Sequence, residues 1–347
     1  MSAARLTIDL DALARNHAVL CAAAPGATTA PVVKADGYGL GAGPVASRLW
    51  DEGARDFFVA RLSEGLVLRA ALTAARPARI FVLDGLAGSA ANMFLDAGLT
   101  PVLNTADDAQ RWRGAGQPCA VHVDTGMNRI GLALEEADAA RGLPACLVMS
   151  HLACAADPLS PRNAHQLARF DEARSLFPNA AASLSASAGI YLGPDYHFDM
   201  VRPGISLYGG GPREVPDDRF AAVARLDAPI LQVRDLKPGD AVGYGDGFVA
   251  DRPMRIALLA AGYADGILRG ALGKASAWIA GVRAPILTVS MDLMAVDLTA
   301  APQAQMGDLV ELLGSRALLD DLATASGTVA HECLVRLSSR AERLYLG

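Results

Sequence analysis

Between about residues 12 and 220, short apolar runs alternate with longer segments of helical spacing, and this alternation constrains the fold more than anything else in the chain. Arg79-Ile80-Phe81-Val82-Leu83 ends at Asp84-Gly85, Ala120-Val121-His122-Val123-Asp124 ends at Thr125-Gly126, and Leu147-Val148-Met149-Ser150-His151 closes a third run. Alanine- and leucine-rich stretches at 45–54, 61–75, 132–140 and 164–176 carry the helical pattern. Short strands alternating with helices indicate parallel βα units, because parallel neighbours need a crossover to reach one another. Enough units fit before residue 220 to close a (β/α)8 barrel. An open doubly wound sheet is the alternative, but no G-x-G-x-x-G follows the first strand to mark a dinucleotide fold.

The rhythm changes after Val201-Arg202-Pro203-Gly204-Ile205-Ser206-Leu207-Tyr208-Gly209. Residues 210–220 read as a polar, proline-bearing linker, and β-like runs follow at 222–234, 254–261, 283–299, 307–312 and 328–337. The expected organisation is a barrel over residues 1–220 and a mainly β C-terminal domain over 221–347, with residues 1–11 able to join either. A chain of 347 residues, 52% apolar and 20% charged, has the material for two such cores. Its formal net charge of −6 argues against a nucleic-acid or anionic-membrane partner. Five cysteines with no close C-x-x-C pair fit free thiols in a reducing compartment. The N-terminal residues lack the apolar core of a signal peptide, so the expected location is the cytoplasm, with no membrane partner.

Barrel enzymes concentrate their chemistry at the C-terminal ends of the strands. Lys34 falls there, in Pro31-Val32-Val33-Lys34-Ala35-Asp36-Gly37-Tyr38-Gly39, as do Asp124 with Arg129, His151, Ser187 and Arg202. A lone strand-end lysine is most simply one that snorkels to solvent. An imine with an aldehyde cofactor such as pyridoxal phosphate is the functional reading, since it removes the cost of burying the ammonium. His151 and Ser187 could be an ordinary hydrogen-bonded histidine and a plain loop serine. Arg129 could be a surface charge, and Arg202 could tie its loop to an acidic neighbour. Together they make a cradle one cofactor would need: an imine lysine, an anion-binding serine and glycine turn, and an arginine facing a pyridine nitrogen. Asp107-Asp108, Glu135-Glu136 and Asp217-Asp218 read as solvated faces.

At this point the chain resembles the alanine racemase family of pyridoxal phosphate enzymes, from Thr7 to Tyr345. Besides the lysine and Arg202 motifs, the resemblance rests on Asp124-Thr125-Gly126-Met127-Asn128-Arg129-Ile130-Gly131, Ser150-His151-Leu152-Ala153, Gly262-Tyr263-Ala264-Asp265-Gly266 and Ser290-Met291-Asp292. It implies that Lys34 carries the cofactor and acts as one of two opposed acid–base groups. Tyr263 would be the other, reaching in from the second subunit of a head-to-tail homodimer with shared active sites. Tyr38, Ser187 and the backbone at Gly204 and Ile205 would hold the phosphate, and Arg202 the pyridine nitrogen with His151 behind it. Arg129 would reach the cofactor's phenolic oxygen and the substrate carboxylate, while Met291 and Asp292 would line the substrate entrance. No metal belongs to this set.

Racemisation removes a proton from one face of the α-carbon and returns one to the other, which suits two groups better than one. Lysine and tyrosine both titrate near pH 10 unperturbed, so each must be tuned downward to act as a base. An arginine partner cannot readily protonate the pyridine nitrogen, so the ring is a weaker electron sink and reprotonation outruns elimination or transamination. Three positions depart from the family. His122 stands where an often carbamylated lysine orients the arginine, Ala186 where an asparagine precedes the serine, and His331 where a tyrosine contacts the phosphate. Alanine is the expected substrate, with D-alanine serving peptidoglycan synthesis or being consumed in catabolism, and serine or a larger amino acid as alternatives. A non-enzymatic cofactor carrier would not need Tyr263. His331 and Cys333 at i and i+2 on a strand would share a face, which suggests a zinc-assisted lyase of β-hydroxy D-amino acids as a further alternative.

Overall fold

The computed structural model describes residues 3–347, so Met1 and Ser2, the first residues of the expected barrel domain, lie outside it. The chain divides into two compact units, Ala14–Leu207 and a second made of the N-terminal segment through Leu13 together with Tyr208–Gly347.

Among the described residues, the first unit is a closed ring of eight parallel strands: Thr28–Thr29, Asp56–Val59, Arg79–Val82, Thr100–Leu103, Cys119–Asp124, Ala145–Met149, Ala181–Ser183 and Met200–Val201. Two single bridges complete it, Val32 to Phe58 and Ala186 to Arg202, and the last strand pairs with the first through Met200 and Val201 beside Thr28 and Thr29. This is the (β/α)8 barrel expected from the alternation. Its strands are nearly continuous apolar runs because a parallel sheet covered by helices is buried on both faces. Inside, Phe58 and Phe81 stack with centroids 4.6 Å apart. Helices Ala42–Asp51, Leu62–Leu72 and Pro161–Ser175 fall within or beside stretches whose spacing is helical. The stretch 132–140 differs: Leu132–Ala133 pairs with Val123 and Asp124, which leaves a 3-10 turn over Leu134–Ala140 in place of an α-helix.

The second unit is built on an eight-stranded sheet. Arg5–Asp9 pairs antiparallel with Ala224–Leu236 and parallel with Glu342–Leu346. Ala224–Leu236 also pairs with Leu309–Leu313 and, past a bulge, with Met254–Leu259, which curls the sheet. Alternation along Ser276–Ile279 and Val282–Val289 buries Ala277, Ile279, Ala284 and Ile286.

One expected strand is corrected. Residues 328–337 contain the helix Ala330–Val335, preceded by a second helix, Leu319–Ser326. The β-branched pair Thr328-Val329 that imitates a strand is the lead-in to this helix. Gly327, with φ +72°, ends the first helix, Val329 is extended at the N-cap, and the Thr328 hydroxyl donates to the Glu332 carboxylate. On a helix, residues two apart point about 200° apart. Cys333 is buried and His331 is exposed, so the shared face required of a metal pair does not exist.

Candidate active site

Lys34 follows a strand held by Val33 N–H donating to Phe58 O at 2.8 Å, and the chain then turns in an unusual way. Ala35, Asp36, Gly37 and Tyr38 all have positive φ, at 52°, 54°, 63° and 57°. Each non-glycine residue there costs about 1–2 kcal/mol, so the turn exists because its surroundings hold it. Gly37 N donates to Val33 O and Gly41 N to Asp36 O, while the Asp36 carboxylate accepts from Ala42 N at 2.8 Å. Burial, reinforced by the Arg129 charge, holds the Lys34 ammonium below the ordinary lysine range.

The turn delivers Tyr38 into the barrel, where it is buried and its phenol is pushed up by burial. A Cβ on Gly204 would overlap the Tyr38 hydroxyl, so only glycine lets the two approach. Beside them Ser187 Oγ accepts from the backbone N–H of Gly204 at 3.0 Å and of Ser206 at 3.3 Å. Ser206 Oγ is buried with no hydrogen-bond partner, and Ile205 is buried. Two convergent N–H donors, a serine hydroxyl and an orphaned one form an anion cradle, and the chemistry fits a phosphate.

Arg202, 3% exposed, lies across the barrel interior. Its guanidinium donates to Ser183 Oγ at 2.5 Å and Ser150 O at 2.6 Å, and approaches His151 Nδ1 at 3.5 Å. No carboxylate among the described residues pairs with it, and burial draws its pKa down to about 9. Burial, then the Arg202 charge, pushes His151 well below the usual imidazole range, so it is the neutral neighbour this cation needs. Buried cations are ordinarily paired, and one held by neutral acceptors alone suits a heteroaromatic nitrogen as its further partner.

His122 ends in a network that fixes its protonation. Asn104 Nδ2 donates to Leu83 O at 2.9 Å and Val102 O at 2.8 Å, which assigns Asn104 Oδ1 as the acceptor facing His122 Nδ1 at 2.9 Å. His122 is therefore the Nδ1–H tautomer, with a lone pair on Nε2. Burial, with a further contribution from Arg202, lowers its pKa to about 3. Asp108, read above as part of a solvated face, is instead buried and accepts from Asn104 N at 3.2 Å. Asp124 organises the next loop, accepting from Gly126 N and Met127 N at 2.8 Å each and from Arg129 N at 3.2 Å.

Tyr263, Met291 and Asp292 come together in the second unit, around a cleft of about 760 Å³ that Tyr244, Arg269 and Leu293 also border. Tyr263 N donates to Ser290 O at 2.9 Å, and Ala264 N to Met291 O at 3.0 Å. Buried Asp265 accepts from Gly262 N at 2.9 Å and pairs with Arg340 Nε at 3.2 Å, while Arg340 reaches Asp292 at 2.5 Å. Tyr263 and Met291 are 44% and 53% exposed. Among the described residues, the cleft lining does not include His331.

Four polar residues of these networks, Glu64, Asn104, Ser183 and Arg340, lie outside every sequence motif, while Ser150, Ser206 and Asp265 lie within motifs that assigned roles only to their neighbours. Asn104 directly follows the strand Thr100–Leu103, the same strand-end signal that marks His151. Glu64, third in its helix, carries a helix-capping signal.

The barrel, with a strand-end lysine, an anion cradle and a buried arginine held by neutral acceptors, has the form of a barrel enzyme that uses an aldehyde cofactor. Residues 8–212 match the family model for the alanine racemase N-terminal domain and 223–345 that for the C-terminal domain, so the chain belongs to the alanine racemase family. A relative from Agrobacterium fabrum, "Alanine racemase, catabolic", is 43% identical over 98% of this chain and 92% of its own. An alanine racemase from Methylobacterium sp. is 44% identical over 99% of this chain and 98% of its own. The crystal structure of the Bartonella henselae alanine racemase with covalently bound pyridoxal phosphate superposes with a TM-score of 0.92 at 35% identity, covering 99% of each chain.

Proposed function

We propose that this protein interconverts L- and D-alanine with pyridoxal phosphate as its cofactor, using Lys34 and Tyr263 as opposed acid–base groups. The observation that carries the reading is the barrel mouth, where Lys34, the cradle of Ser187, Gly204 and Ser206, and an unpaired buried Arg202 belong to one unit. The cofactor supplies electron withdrawal that acidifies the substrate α-proton. Lys34 holds it through the ε-amine, Tyr38, Ser187 and the N–H groups of Gly204 and Ser206 hold its phosphate, and Arg202 hydrogen-bonds its ring nitrogen.

Lowered by burial and by Arg129, Lys34 Nζ gives up its proton more readily than a free lysine and can take one from the α-carbon. Arg202 keeps its charge at neutral pH and would donate a hydrogen bond to the ring nitrogen without transferring a proton. Arg129 reads the substrate carboxylate. His122 is neutral and supplies no ionic anchor to it.

Tyr263 Oη works from the partner of a head-to-tail dimer, with Met291 and Asp292 lining the substrate entrance, and the protein resides in the cytoplasm. The exposure of Tyr263 and Met291 on the open cleft supports this assignment. His331 and the backbone of Ile205 complete the cofactor contacts, and His151 holds Arg202. The zinc-assisted lyase reading loses its geometric premise with the helix at Ala330–Val335.

The test is inversion and α-deuteration in deuterated water across a panel of amino acids. Alanine should lead. Exchange with no amino acid in the panel would reject the reading, and a preference for serine would correct the substrate.

A further inference from the structure

The left-handed turn after Lys34 is tied to a second loop by one side chain. Glu64 belongs to the helix Leu62–Leu72, which follows the strand Asp56–Val59. Its Oε2 serves that helix, accepting from Ala60 N at 2.8 Å and Arg61 N at 3.4 Å. Its Oε1 turns away from the helix and accepts from Ala35 N at 3.0 Å. A glutamate serving only as a cap for its own helix would need the first set of bonds and not the second.

Ala35 is the residue directly after Lys34, so the direction of its N–H fixes the peptide plane from which the lysine departs. The other anchors of the turn come from its own chain segment, Gly39 N donating to Ala35 O at 2.8 Å and the rest engaging Asp36 and Gly37, so Glu64 is what reaches the Ala35 N–H from another element. Ala35 itself sits at φ 52°, ψ 47°, a conformation an alanine keeps only when something outside holds it. We propose that Glu64 is a positioning residue for Lys34: its carboxylate clamps the turn after the first barrel strand to the helix after the second and so aims the ε-amine at the cofactor. The proposal rests on Lys34 being the attachment residue.

Both carboxylate oxygens are engaged, so the variants separate the roles. Glu64→Ala removes both sets of bonds. Glu64→Gln keeps one acceptor oxygen and can serve the turn or the helix, but not both. The holoenzymes are compared by the rate at which hydroxylamine strips the cofactor, by kcat and KM for alanine, and by the unfolding midpoint of the stripped protein. Borohydride reduction and peptide mapping of the wild type identify the attachment residue first.

Loss of one charge-assisted bond next to Lys34 should speed stripping about tenfold in Glu64→Ala, with Glu64→Gln between it and the wild type. The kcat should fall while KM stays near its wild-type value, since substrate reading does not pass through Glu64. If reduction labels Lys34 in the wild type, and Glu64→Ala then strips at the wild-type rate with unchanged kcat, the positioning role is overturned. It is equally overturned if faster stripping tracks a lowered midpoint across both variants, because Glu64 would then serve only the helix. If the wild type carries no label on Lys34, the functional reading itself fails.

Discussion

Gly204 provides a direct test of the phosphate cradle. Its φ lies outside the left-handed region, so replacing it with alanine carries no backbone penalty, and the whole effect is steric. The added Cβ would overlap the Tyr38 hydroxyl and come within 3.0 Å of Tyr38 Cζ. Tyr38 is buried and cannot swing to solvent, so either the phenol or the 204 backbone must shift. Overpacking of this kind costs about 1–3 kcal/mol. In a unit of this size each kcal/mol lowers the unfolding midpoint by about 2–4 °C. A displaced Gly204 also misaims its N–H, now 3.0 Å from Ser187 Oγ. Losing one charge-assisted donor to the phosphate, at about 1.5–3 kcal/mol, weakens cofactor binding roughly 10- to 100-fold.

Calorimetry of the stripped protein and fluorescence titration with pyridoxal phosphate measure the two effects separately. Because Tyr38→Phe removes the oxygen that alanine meets, the double variant should recover about 0.5–2 kcal/mol of stability relative to the sum of the single changes. A Gly204→Ala protein with wild-type midpoint and wild-type affinity, or strictly additive variants, would refute the cradle geometry.

Because His122 is held neutral to about pH 3, while an unfolded histidine titrates near 6.5, the unfolded chain binds the extra proton first as pH falls. The stability this contributes is complete above pH 6.5 and is lost between 6.5 and about 3, on the order of 4–5 kcal/mol at most. His122→Gln should flatten stability against pH over that window, and nitrogen NMR should show the Nδ1–H tautomer. On the proposed shared-site dimer, mixing Lys34→Ala and Tyr263→Phe proteins should restore about a quarter of wild-type activity after random re-pairing, because half the dimers would be mixed and each would hold one intact site. No recovery despite demonstrated exchange would place Tyr263 in its own subunit's site or outside the chemistry. Asp265→Ala leaves Gly262 N without its acceptor and Arg340 with Asp292 alone. It should cost about 1–3 kcal/mol in unfolding by denaturant and lower kcat through the Tyr263 turn. Unchanged kcat would separate that turn from catalysis.

Lys34, His151 and Arg202 were legible because each ends an apolar run, and a polar residue there must emerge at the barrel mouth. Beyond the pairing of Arg202 with His151, their partners were not. Arg202 is held by Ser183 and Ser150, the second of them 52 residues away, and nothing local in either segment announces the contact. Asp108 looked like half of a surface acid pair, because the helix Ala106–Trp112 gives no local sign that Asn104 lies over its first turn. The strand expected at 328–337 failed for a local reason: Thr328-Val329 has strand propensity, but the glycine before it and Glu332 after it make it a helix lead-in.

The sequence by itself determined the alternation of strands and helices in the first unit, the mainly β character of the second, and the family. Periodicity and motif order are properties of neighbours along the chain, and they survive without coordinates. Tertiary structure decided the charge states and aims of the same residues: a neutral His122, an unpaired Arg202, a lysine loosened by burial and set on a left-handed turn that Glu64 holds. Those depend on desolvation and on hydrogen bonds from distant segments, which exist only once the barrel has closed.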